Sequence, residues 1–105
     1  MPDSSVIDRL FQTIDARRLS STESSYTAKL FARGREKIAQ KVGEEAVEVV
    51  IEAIKDDPTL LAQESADLLY HLLVLWADAG LEPEDVFHVL ETRAGVTAGE
   101  TKSKG

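Results

Sequence analysis

The 105-residue chain is long enough for one small domain, is 43% apolar and carries a formal charge of -7. That acidity argues against non-specific attachment to nucleic acid, and the absence of cysteine excludes disulfides, thiolate zinc sites and cysteine nucleophiles. The opening MPDSSVIDRLFQTI lacks the basic and apolar regions of a signal peptide, and the greasy run Leu68 to Ala77 is about half a bilayer span, so a cytoplasmic protein with no membrane contact is expected.

Ser4 or Ser5 can cap a first helix from about Val6 to Arg18, in which Val6, Ile7, Leu10, Phe11 and Ile14 keep helical spacing. A polar connection ends at Ser25, placed to cap a second helix, Tyr26 to Arg33, which Gly34 closes in a left-handed conformation. The central helix runs from about Glu36 to Ile54. Gly43 inside it costs roughly 1 kcal/mol against alanine, which points to something packed close to the backbone, another helix or a ligand. Lys55-Asp-Asp-Pro58 breaks the pattern, because proline disfavours helix in the residue before it and suits the first turn of the next. A fourth helix, Pro58 to Ala79, stops at Gly80. The fifth, Pro83 to about Arg93, has apolar Val86, Phe87, Val89 and Leu90 and first-turn acids that suit the helix dipole. Residues 96–105 have no periodicity and read as a flexible C-terminal tail beyond one domain of residues 1–95. The fold class is all-α. Leu68, Leu69, Tyr70 and Leu72 to Trp76 leave the fourth helix no polar face there, so a four- to five-helix bundle completed by homodimerisation is expected.

At 100° per residue, Glu45, Glu48 and Glu52 share one narrow stripe of the central helix, which Lys37 and Lys41 extend toward its start. Ile38, Val42, Ala46, Val49 and Ala53 form the adjoining apolar stripe. Glu45 therefore sits at the edge of the buried face, where a bare carboxylate is costly without a cation. Glu64 and Asp67 repeat the i, i+3 device, and no lysine or arginine of their helix lies three or four residues from either. Acids on a surface helix ordinarily read as a solvated face. The matching pair on an apolar helix tips the balance toward a cage for Mg²⁺ or Mn²⁺, which would share oxygens with a substrate's phosphates. His71 reads as a hydrogen-bond partner that orients a carboxylate, and His88 as a surface residue. Lys29, Arg33, Arg35, Lys37 and Lys41 read equally as salt-bridge partners or as a set that neutralises a triphosphate. Tyr26 and Trp76 read as core or interface residues. With no GxxxxGK[ST] loop and no Glu-x-x-His pair, what remains is metal-assisted displacement at phosphorus.

Three blocks, SYTAKLFARGREKIAQKVGEEAVEVVI (Ser25 to Ile51), ESADLLYHLLVL (Glu64 to Leu75) and GLEPEDVFHVLETR (Gly80 to Arg93), closely resemble the phosphoribosyl-ATP pyrophosphatases of histidine biosynthesis. SYTxKL and KVGEEAxE are specific to that family, whereas ExxE with a later ExxD marks the wider group of all-α, MazG-like nucleoside triphosphate pyrophosphatases. The resemblance implies a MazG-like bundle and Mg²⁺-dependent hydrolysis of 1-(5-phospho-β-D-ribosyl)-ATP to the AMP compound and pyrophosphate, the pathway's second step. By motif, Glu45 and Glu48 match ExxE and Glu64 and Asp67 match ExxD, as the metal-binding set. Glu44, Glu45 and Glu48 form the implied catalytic group, with Glu44 the candidate to hold the attacking water. Lys29, Lys37 and Lys41 are candidates for the phosphates by position. Family members are often fused to a zinc- and cysteine-dependent cyclohydrolase, so a short chain without cysteine implies that a separate phosphoribosyl-AMP cyclohydrolase acts next. Two rival readings are a MazG-like enzyme that clears ordinary or damaged nucleoside triphosphates, and a non-catalytic helical dimerisation module whose acids keep it soluble.

Overall fold

Ser4 holds the N-cap position of the first helix, as expected of it, but its side chain makes no capping bond; the carboxylate of Asp3 instead accepts the Ser5 amide at 3.0 Å. In the computed structural model, which describes residues 2–95, helix α1 spans Ser5–Ala16 and runs into a 3₁₀ turn at Arg17–Leu19. Four further helices follow, α2 at Tyr26–Arg33, α3 at Arg35–Lys55, α4 at Pro58–Ala79 and α5 at Pro83–Ala94. There is no strand among the described residues, and the all-α expectation holds. The expected C-terminal tail, 96–105, lies outside the described residues.

Local chemistry sets the helix ends. Ser25 Oγ accepts the Ala28 amide at 3.0 Å, as the serine before α2 suggests. Gly34 has the positive φ expected of it, 96°, but ψ is 175°, outside the left-handed helical basin, and the chain passes from α2 straight into α3. Asp56 closes α3 in the left-handed conformation (φ 61°, ψ 47°), and Asp57 accepts the Leu60 amide at 3.1 Å to open α4, with Pro58 in its first turn. Gly80, at φ 81°, lets Leu81 N–H reach the Trp76 carbonyl at 2.8 Å and so terminates α4.

Because two residues join them, α3 and α4 form a hairpin, and they pack against each other more extensively than any other pair of helices. The buried core gathers Phe11 and Ile14 from α1, Leu30 from α2, Ile38 from α3, and Leu73, Val74 and Ala77 from α4. It therefore sits where α3 begins and α4 ends. Arg18 tightens that end, its guanidinium 4.7 Å over the Phe31 ring and donating to the Ala77 carbonyl.

Farther along the hairpin burial thins out. Val42, Ala46 and Val49 are half-buried and Ala53 is exposed, so the expected apolar stripe is covered only in part. A second apolar face, Val47, Val50, Ile51 and Ile54, stands exposed at i, i+3, i+4, i+7 spacing on another side of α3. On α4, Leu69 is exposed, and Leu68, Leu72, Leu75 and Trp76 are half-buried, so this chain alone does not enclose that helix. Gly43 faces outward from α3, and within this chain a Cβ there would meet nothing within 4 Å, so no helix of the same copy is the close neighbour expected at its backbone.

Candidate metal centre

Antiparallel packing carries Glu45 on α3 to the side of α4 that bears Glu64 and Asp67. One carboxylate oxygen from each of these three lies within 4.8 Å of the other two. Two oxygens on opposite sides of Mg²⁺ stand about 4.2 Å apart, so small side-chain adjustments would close the group around one hard cation. Every donor is an oxygen, and neither histidine belongs to the group.

Glu64 and its neighbours repel one another. Partial burial raises its pKa first, and Asp67, Glu45, Glu48 and Glu52 raise it further through like charge. Glu48 thus stands near enough to act on Glu64, although it is exposed and outside the three-oxygen group. Glu52, one turn on, is only 7% exposed; its Oε1 has no hydrogen-bond partner, and Lys55 Nζ is 3.7 Å away. A carboxylate buried in that condition, within electrostatic reach of Glu64, is one that a nearby cation would stabilise.

The basic residues divide. Lys41 Nζ lies 3.2 Å from Glu44 and 4.0 Å from Glu45, and its bond to Glu44 holds its pKa up. Glu44 is exposed, and its carboxyl is lowered by the Gln40 amide at 2.8 Å and then by Lys41. Arg35 pairs with Asp78 on α4, which fits the salt-bridge reading. Among the described residues, Lys29, Arg33 and Lys37 make no ion pair within 4 Å.

His71 does not orient a carboxylate. It is buried; its Nδ1 stands 2.8 Å from the backbone carbonyl of Asp67, and its Nε2 stands 3.1 Å from the Tyr26 hydroxyl. Tyr26 is correspondingly no core residue, being half exposed beside the acids, while Trp76 does pack against the core. His88 is exposed as expected. Sequence reasoning missed the Tyr26–His71 link because the eight-residue α2 carries too little periodicity to orient its first residue. The burial of Glu52 had a signal, its place on the stripe of Glu45 and Glu48.

The family model described as "Phosphoribosyl-ATP pyrophosphohydrolase" matches residues 7–94, a span holding every residue named at this centre. A phosphoribosyl-ATP pyrophosphatase of Azospirillum brasilense is 63% identical over 92 residues, covering 88% of this chain and 83% of its own. Proteins of the same name from Paramagnetospirillum magneticum and Parvibaculum lavamentivorans are 52% identical over 100 residues (95% of this chain, 92% of theirs) and 54% over 93 residues (89% and 85%).

Proposed function

Because the chain belongs to the phosphoribosyl-ATP pyrophosphohydrolase family, we infer that it performs that family's reaction with the carboxylates of α3 and α4. The protein is a hydrolase that converts phosphoribosyl-ATP and water to phosphoribosyl-AMP and pyrophosphate, the second step of histidine biosynthesis. Water adds across the anhydride between the α- and β-phosphorus: one P–O bond to the bridging oxygen breaks, a P–O bond to the water oxygen forms, and the water's protons end on the products or in solvent.

The convergence of Glu45, Glu64 and Asp67 carries the metal assignment. These three, with Glu48 of the same motif beside them, would hold Mg²⁺, or Mn²⁺ in its place. The donors are hard oxygens, their spread is near the span of an octahedral ion, and Glu64 sits in a field of like charge that a cation relieves. Bound there, the ion would polarise a phosphoryl oxygen and shield the triphosphate from a protein of charge -7. Glu44 keeps free lone pairs beyond its bonds to Gln40 and Lys41, and is the residue that holds the attacking water, completing a catalytic group with Glu45 and Glu48. Lys29, Lys37 and Lys41 receive the phosphates; the first two have no competing ion pair among the described residues.

The working form is a cytoplasmic homodimer. A second copy covers the exposed face of Val47, Val50, Ile51 and Ile54, and a two-fold axis brings the same face of each copy together. The acids on the neighbouring stripe then stand near the subunit boundary. A separate phosphoribosyl-AMP cyclohydrolase takes up the product. No described helix is long and apolar enough to cross a membrane.

The test is pyrophosphate release from phosphoribosyl-ATP and from a panel of plain nucleoside triphosphates, with Mg²⁺ and with a chelator. Release from phosphoribosyl-ATP alone, abolished by the chelator, is expected. Equal or faster turnover of the plain triphosphates would instead assign a house-cleaning enzyme. No turnover, with no rise in melting temperature on adding Mg²⁺ and nucleotide, would leave a dimerisation module.

A further inference from the structure

Beside the acids stands a set of polar and aromatic side chains that the reaction as described leaves unused. His71 is 6% exposed, and its Nδ1 faces the Asp67 carbonyl oxygen at 2.8 Å. A carbonyl oxygen only accepts, so Nδ1 carries the hydrogen, and Nε2 of the neutral ring is left as an acceptor. Tyr26 Oη, 3.1 Å from Nε2, therefore donates to it. The phenol's one hydrogen is thereby committed, while the remaining lone-pair capacity of its oxygen is open.

The ring is held as firmly as the oxygen. Tyr26 stacks on Tyr70 at 6.3 Å between centroids and 24° between planes, and His71 meets both rings edge-on. Thr27 bonds the Tyr70 hydroxyl, fixing that platform in turn. Despite these contacts Tyr26 is 51% exposed. His71 ties it to the backbone of Asp67, which puts the phenol at the rim of the candidate metal centre, within electrostatic reach of Lys41, Glu44 and Glu45. A half-exposed phenol whose hydrogen-bond polarity is fixed by a buried histidine is poised to read a ligand.

We propose that Tyr26 contacts substrate in this active site, its oxygen accepting a hydrogen bond from an O–H group beside Glu45, either the attacking water or a sugar hydroxyl of the substrate. His71 is the positioning residue that sets this polarity. The inference rests on the hydrolysis proposed above and adds a residue and a direction to it. Tyr26 makes no bond to a phosphate oxygen, since two acceptors facing each other repel.

Tyr26→Phe keeps the ring and its stacking while deleting the oxygen. At saturating Mg²⁺ and well below the melting temperature, its kcat/KM on phosphoribosyl-ATP is expected to fall about tenfold, the scale of one lost hydrogen bond in a site. A fall in kcat at constant KM assigns the bond to the water, and a rise in KM at constant kcat assigns it to the sugar hydroxyl. His71→Phe should reproduce the same change, and the double variant should be no worse than the poorer single one, because the two act as a unit. Both constants for Tyr26→Phe within twofold of the unsubstituted protein would overturn the proposal. So would multiplied losses in the double variant, and if His71→Phe does not fold, Tyr26→Phe alone decides. An unsubstituted protein inactive on phosphoribosyl-ATP would sink the parent reading along with this one. An active one, with Asp67→Asn inactive and Tyr26→Phe at full rate, sinks only this one.

Discussion

Val50→Glu tests the second apolar face of α3. Val50 is 54% exposed in one copy, so about half of the roughly 1.5 kcal/mol available from burying a valine remains to be gained, near 0.8 kcal/mol. A two-fold interface counts it twice, giving about 1.6 kcal/mol. The new carboxylates add more, because each is taken out of water unpaired at a cost of about 2 kcal/mol or above. The total near 6 kcal/mol corresponds to a dissociation constant raised about 10⁴-fold. In the monomer the substitution lies on the surface, where changes are usually within about 0.5 kcal/mol, so folding should be retained. Sedimentation velocity at micromolar protein should find the unsubstituted chain as a dimer and the variant as a folded monomer. A variant that still sediments as a dimer, or an unsubstituted chain that is monomeric, refutes the reasoning.

Other perturbations address the site and the frame. Glu64→Gln should lower hydrolysis by about 100-fold or more by taking a negative charge and one carboxylate oxygen from the proposed metal group, while the metal-free variant melts higher than the parent because crowded like charge is relieved; a lower melting temperature contradicts the electrostatic account. Gly43→Ala should raise the melting temperature by about 4–8 °C, since nothing stands within 4 Å of its Cβ and alanine favours helix by roughly 1 kcal/mol; a fall would reveal a partner copy packed there. Asp57→Ala removes the bond to the Leu60 amide and should cost about 1 kcal/mol, read as a similar downward shift by calorimetry, with no effect if water replaces the cap.

Helix positions were legible because apolar spacing, Pro58, Pro83 and Gly80 act locally, and the structure moves those limits by a residue or two. Ser25 capped as read, whereas Ser4 took the N-cap position without a side-chain bond, because the Asp3 carboxylate two residues back could reach the Ser5 amide. The meeting of Glu45 with Glu64 and Asp67 was legible as matching i, i+3 patterns on two helices joined by a tight break. What periodicity leaves open is which of two apolar faces a helix buries, and α3 has both. Gly43 is open for a related reason: a helical glycine signals close approach without saying by what, and within one chain nothing stands on that side. The partner of His71 was misread because a histidine four residues after an acid can equally bond that residue's backbone carbonyl.

The packed centre of the molecule lies between Ile38 and Leu73–Ala77, while Glu45, Glu64 and Asp67 stand roughly two turns away toward the Asp56–Asp57 bend. Amide hydrogens of Val47 to Leu61 should therefore exchange with deuterium by local opening, sooner than those near Val74. Cation binding would slow that exchange by linking the two rods where greasy contacts are sparse, so the cation proposed for the chemistry would also serve as the far clasp of the hairpin.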